Sequence, residues 1–197
     1  MEETSLDAQE IEKIAERYRS TLQEDASVEV LAEAHYRLGL YELIQRRSLE
    51  QATHHFQESA GLKDPYWSLA ARTSLAICLY RQGKTQKALF EFRRVGLSEV
   101  VNEHSVNALL MMGRLLRDDG DKDESSRAFA EGLKRIKSTL KSGPVERKDW
   151  LILGFEFALE SDAAEDLERW HAELRTFGND ELPAGVRRQL ELLDGHD

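Results

Sequence analysis

The sequence predicts an all-α protein: an α-α superhelix of stacked helix-turn-helix repeats with a capping helix at each end. Three observations predict it. Strand signals are nearly absent, and no Asn-Gly or Asp-Gly turn separates alternating apolar runs. Only three prolines, Pro65, Pro144 and Pro183, interrupt 197 residues, which leaves room for long helices. Apolar residues recur three and four apart along most of the chain, which is the period of one helix face.

Taken in order, the first element is a helix carrying Ile11, Ile14, Ala15, Tyr18 and Leu22 on one stripe. Ser5 is its expected cap, with acidic residues in the opening turn. That stripe is wide enough either to cap the array or to form a homodimer. Three similar segments follow. They run HYRLGLYE…QATHHF from His35 to Phe56, RTSLAICL…KALFEF from Arg72 to Phe92, and LLMMGRLL…ESSRAF from Leu109 to Phe129. Gly39, Ala76 and Gly113 are spaced 37 and 37 apart, and Phe56, Phe92 and Phe129 are spaced 36 and 37 apart. A fourth, degenerate unit has Trp150, Leu153, Gly154 and Phe157, with Trp170 sixteen residues after Gly154. The organisation read from this is an acidic helix over 1–30, three repeats over 31–141, and a fourth repeat with a capping helix over 145–197. The last helix is expected from about Ala184 to Leu193, after Pro183.

The repeat has a physical reason. Where two antiparallel helices cross closely, one must present a small side chain. Gly39, Ala76, Gly113 and Gly154 do this on the first helix of each pair, and Ala52, Ala88 and Ser125 on the second. Gln82-Gly83-Lys84 and Asp119-Gly120-Asp121 supply the turns. A lone hairpin leaves an apolar face open, and stacking closes it.

These residues resemble the tetratricopeptide repeat, whose pattern runs W-x2-L-G-x2-Y, then A-x3-F, then P. Leu38-Gly39, Leu75-Ala76, Met112-Gly113 and Leu153-Gly154 fill the Leu-Gly places. Ala52 with Phe56 and Ala88 with Phe92 fill A-x3-F, Ser125 with Phe129 nearly does, and Pro65 follows the first unit. The lead aromatic place holds His35, Arg72 and Leu109, and only Trp150 restores it. The period is longer than the family's ~34 residues.

The resemblance implies a non-catalytic adaptor that binds a partner helix or extended segment in a concave groove lined by the first helix of each pair. Carried over, the groove face is Tyr36, Arg37, Leu40, Leu43 and Ile44 in the first unit and Thr73, Ile77, Tyr80 and Arg81 in the second. In the third it is Leu110, Met111, Arg114, Arg117 and Asp118, and Leu151, Phe155 and Leu159 extend it. Arginine pairs carboxylates in two parallel hydrogen bonds and stacks on rings, so the expected partner is a protein segment with apolar anchors and acidic residues. The Lys and Asn of the family's carboxylate-clamp subclass are replaced by Tyr36, Leu40, Ser74 and Met111. Two alternatives share the fold: a secretion-type or assembly chaperone for one cargo, and a regulatory module whose acidic ends mask a basic groove.

Charge motivates the last alternative. The net charge of -10 divides into +4 over 31–144 between flanks of -6 and -8. That modest basic excess, without interleaved aromatics, argues against nucleic acid. The one cysteine, Cys78, lies in an apolar run and reads as a small buried hydrophobe. His54 and His55 are adjacent on one helix and point about 100° apart, so no metal is expected. No nucleophile elbow, phosphate loop or dinucleotide fingerprint occurs. No enzymatic activity and no cofactor are therefore expected. No signal peptide and no run of about 18 apolar residues is present, so a cytoplasmic protein without a membrane span is expected.

Overall fold

The computed structural model describes residues 8–142, 147–161 and 163–195. Among them are ten α-helices and one 3-10 turn, and no strand. Ser5, read as the first cap, lies outside the described residues. The chain divides into two compact units, Met1–Ser98 and Glu99–Asp197, so the three-repeat block is shared between them.

The first unit holds α1 (Ala8–Thr21), α2 (Val28–Ile44), α3 (Leu49–Gly61), α4 (Trp67–Arg81) and α5 (Thr85–Gly96). Each helix packs on the next, and α2 also touches α4. Most of the apolar stripe is used against α2: Ile11 and Tyr18 of α1 and Leu22 just beyond it pack on a cluster of Ala15, Leu38 and Tyr41, while Ile14 of the same stripe is left exposed. The Tyr41 hydroxyl donates to Glu12, and Arg19 donates to Glu12 at 3.0 Å and Glu16 at 2.6 Å. Of the two roles open to this helix, capping is the one its stripe performs here.

The second unit holds α6 (Glu103–Asp118), α7 (Lys122–Ser142), α8 (Arg147–Ser161), α9 (Ala164–Leu174) and, after a 3-10 turn at Asn179–Glu181, α10 (Ala184–Asp194). α6, α7, α8 and α9 pack in sequence, and α6 touches α8. The terminal helix, close to its expected span, buries Val186 and Leu190. Asp194 at its end pairs with Arg175 and lies 3.0 Å from His171, both at the end of α9.

Helix starts follow local chemistry. Ser27 and Ser48 accept from the third backbone N–H beyond them, opening α2 and α3. Asn102 and Ser105 form a reciprocal capping box at α6. Asp64 accepts from the N–H groups of Tyr66 and Trp67 at 3.0 and 2.8 Å, which starts α4 after Pro65.

The small residues lie where the spacing put them. A Cβ on Gly39 would be 2.6 Å from the Phe56 ring, one on Gly113 would be 2.5 Å from Phe129, and one on Gly154 would be 3.0 Å from Trp170. In the second hairpin Ala76 and Phe92 are both fully buried. Ser125 takes the small place opposite Gly113 and satisfies its buried hydroxyl by donating to the Gly113 carbonyl at 2.8 Å. Gly132 of α7 makes a still closer approach to the Phe157 ring of α8, linking the third and fourth hairpins.

The hairpin turns show one asymmetry. Gly83 and Gly120 adopt φ of +74° and +89°, and the corresponding place in the first hairpin is Arg47 at φ +54°. A side chain with a Cβ costs about 1–2 kcal/mol in that left-handed region. Arg47→Gly is therefore expected to raise stability by about 0.5–1 kcal/mol, part of the strain relief being offset by the freer unfolded chain. An upward shift of the urea midpoint at constant slope is the expected reading, and a lower midpoint would show that Arg47 is not strained.

Candidate functional site

In the first unit the expected groove face divides into three groups. Tyr36 is half-buried, its ring 5.8 Å from Phe56 and 5.2 Å from Trp67, so it bridges α2, α3 and α4. Arg37 is exposed, donates to Glu33 at 3.2 Å and lies over the Trp67 ring at 5.4 Å. Leu40, Leu43 and Ile77 are half-buried. Ile44 is 62% exposed and Tyr80 is 42% exposed, and Arg81 beside them is exposed as well.

Thr73 requires a correction. It is only 3% exposed, and its hydroxyl donates to the Leu69 carbonyl at 2.9 Å. It packs inside the hairpin, so no partner reaches it. Leu110 is corrected in the same way at 1% exposure, with Leu151 and Phe155 equally buried. The reason is visible in α6, which buries nine residues spread around most of its circumference. A helix enclosed that far has a much narrower open face than the wheel offset implies.

Arg114 and Arg117 are accessible in part, yet both are engaged. Arg114 donates through Nε to Glu160 at 2.7 Å and lies 3.6 Å from Glu156, and Arg117 reaches the other Glu160 oxygen at 2.6 Å. The Arg117 guanidinium also lies over the Phe129 ring at 5.8 Å. Glu160 is therefore held from both sides by α6. Burial pushes its carboxyl up, but hydrogen bonds from Arg117 and Arg114 outweigh burial and hold it below the usual carboxylate range. Beside this clamp is a cleft of about 400 Å³ with Phe129, Ala130, Leu133 and Ala163 among its apolar lining and Arg117, Lys122 and Glu160 among its polar lining. Arg114 and Arg117 were expected to face a partner's carboxylates. They face this chain's own.

Two features escaped the sequence reading. His55 is hydrogen-bonded to His35 of α2, Nδ1 to Nδ1 at 3.2 Å. Burial, reinforced by the charge of His35, pushes His55 down to about 4. The partner lies on a different helix, so adjacency of His54 and His55 gave no hint of it. Among the described residues no group of three or more His, Cys, Asp or Glu is placed to hold a metal ion. Cys78 is fully buried, and burial pushes its thiol up. The second missed feature is Glu156 with Glu160. Only their spacing of four on α8 hints that they could share one pair of cations.

No protein-family model matches the chain, and no curated protein matches it. Among solved structures, the crystal structure of PilW, described as a widely conserved type IV pilus biogenesis factor, is similar. The identity is 19% and the TM-score 0.53, over 91% of this chain and 74% of that chain. At that identity the likeness establishes the all-helical fold of hairpins packed in sequence. Within the described residues no helix is long and apolar enough to cross a membrane.

The Glu160 clamp has a pH consequence. The folded state favours the ionised carboxylate, so the clamp's contribution is fully present above the ordinary carboxylate value and is lost as pH falls from there through the lowered value of the folded state. Glu160→Gln is expected to cost about 1 kcal/mol near pH 7. The difference from the parent should shrink towards about pH 3 in urea titrations. A difference independent of pH would show that the carboxylate charge plays no part.

Proposed function

We propose that the protein is a tetratricopeptide-type scaffold that holds a segment of a partner protein and catalyses no reaction of its own. One observation carries the reading. Leu43 and Tyr80, like Ile44 and Arg81, stand one 37-residue repeat apart on α2 and α4. The fold leaves Ile44 and Tyr80 exposed there. An apolar residue, an aromatic ring and an arginine at successive repeats of packed helices suit an extended or helical segment carrying an apolar anchor and a carboxylate.

The chaperone variant of this reading has the same geometry, with an unfolded cargo segment in place of a folded partner. Likeness to a pilus biogenesis factor supports a role in assembly at the level of class alone. The regulatory variant is favoured by a separate observation, the seat of Glu160 between Arg114 and Arg117. An acidic partner competing for those arginines would first have to displace Glu160, and its affinity would fall by the clamp's strength.

The test is the pair Tyr80→Ala and Arg81→Glu in the full chain, used as bait in affinity capture beside the parent. Binding of the partner held by the parent is expected to fall roughly tenfold or more, with the helical circular dichroism and the melting temperature unchanged. An unchanged set of captured proteins would place function elsewhere.

A further inference from the structure

The second helix of the second pair carries a surface that the fold does not explain. In α5, Ala88, Leu89, Phe92 and Val95 are buried and form the core stripe. Lys87, Phe90 and Arg94, with Leu97 at the helix C-cap, follow at intervals of three, four and three, which places them on one opposite face. All four are exposed, Phe90 by 62% and Leu97 by 56%.

Two of these choices run against what the helix alone would prefer, whereas Arg94, in the last turn, suits the helix dipole. A phenylalanine left mostly in water gains little from folding. Lys87 stands in the first turn, where the helix dipole disfavours a cation. The only acid of α5, Glu91, is turned away to Arg72 of α4 at 2.9 Å. The outward face is thus apolar and basic with no acid on it. Among the described residues Lys87 and Arg94 have no ion-pair partner. Local choices that break the rules of a stable helix without structural return mark a functional surface.

We infer that this face of α5 docks an acidic amphipathic helix of a partner protein. Phe90 and Leu97 lie seven residues apart, about 10.5 Å along the axis. A partner helix laid alongside meets that distance with two apolar side chains two turns apart, and carboxylates on its flanks meet Lys87 and Arg94. Charge complementarity selects this occupant. The surface is separate from the one formed by Ile44, Tyr80 and Arg81 on the first helices, and it goes beyond the function proposed for them.

The experiment uses the full chain and a fluorescein-labelled synthetic peptide of about 20 residues, long enough to hold a helix. Leucines stand seven apart on one of its faces, with glutamates beside them. A second peptide has lysine in place of every glutamate. Saturable binding of the acidic peptide by anisotropy is expected, weakening as salt rises from about 0.05 to 0.3 M. Lys87→Glu with Arg94→Glu, and separately Phe90→Ser, are expected to reduce the affinity at least about tenfold. Tyr80→Ala with Arg81→Glu should leave it unchanged, which separates this surface from the proposed groove. All four positions are exposed, so circular dichroism should match the parent in every variant. Absence of binding, equal binding by the α5 variants, or equal binding of the lysine peptide overturns the inference. So does finding that the same substitutions abolish binding to phosphatidylcholine-phosphatidylserine vesicles, or abolish self-association in sedimentation velocity, while peptide binding is unaffected.

Discussion

In three of the four hairpins the close approach of a glycine backbone to an aromatic ring is the contact on which the packing depends, and Ala76 takes the small place in the other. Gly39 meets Phe56, Gly113 meets Phe129, and Gly154 meets the Trp170 ring, each closer than a Cβ could tolerate without movement. Packing this tight has two consequences. The helices of a pair approach closely at the small residue, which lets their large neighbours pack around the ring. The ring also fixes the register, because one position along the first helix is small enough to receive it. Gly132 against Phe157 extends the same device from one hairpin to the next.

From that constraint the rest of each unit follows. Hairpins that interlock through one face must bury the other against the next hairpin, which is why helices pack in sequence order. The ends then need closure. α1 closes the first unit with Ile11, Tyr18 and Leu22 inward and acids outward, and α10 closes the second with Val186 and Leu190 inward. Among the exposed apolar residues outside this scheme are Ile44 and Tyr80 on the first helices, Phe90 on α5 and Leu97 at its C-cap, the positions for which binding roles are proposed.

The fold was legible because it is written in volumes at fixed spacing. A small residue and a ring sixteen or seventeen places later survive in all four hairpins, and no long-range pairing is needed to see them. The turns at Gly83 and Gly120 were legible for the same local reason, while Arg47 concealed an equivalent turn behind a residue that ordinarily avoids that backbone region. The site was less legible. Thr73 and Leu110 were assigned to a groove from position on a helical wheel, which does not report how far a helix is enclosed by its neighbours. Arg114 and Arg117 were recognised as a pair, but their carboxylate partner lies 43 residues after Arg117, at Glu160. Nothing in a helical period encodes that distance. The His35–His55 contact was hidden in the same way.

The most direct measurement of the central constraint is the urea unfolding of Gly113→Ala beside Gly185→Ala. Both sites are helical, but a Cβ at Gly185 meets open space, whereas one at Gly113 enters the Phe129 ring. By helix propensity alone both alanines stabilise, by up to about 1 kcal/mol. If the ring contact governs the fold, Gly113→Ala loses about 1–3 kcal/mol through overpacking while Gly185→Ala loses nothing. Equal gains at the two sites would contradict the claim that the Phe129 ring requires a glycine at position 113.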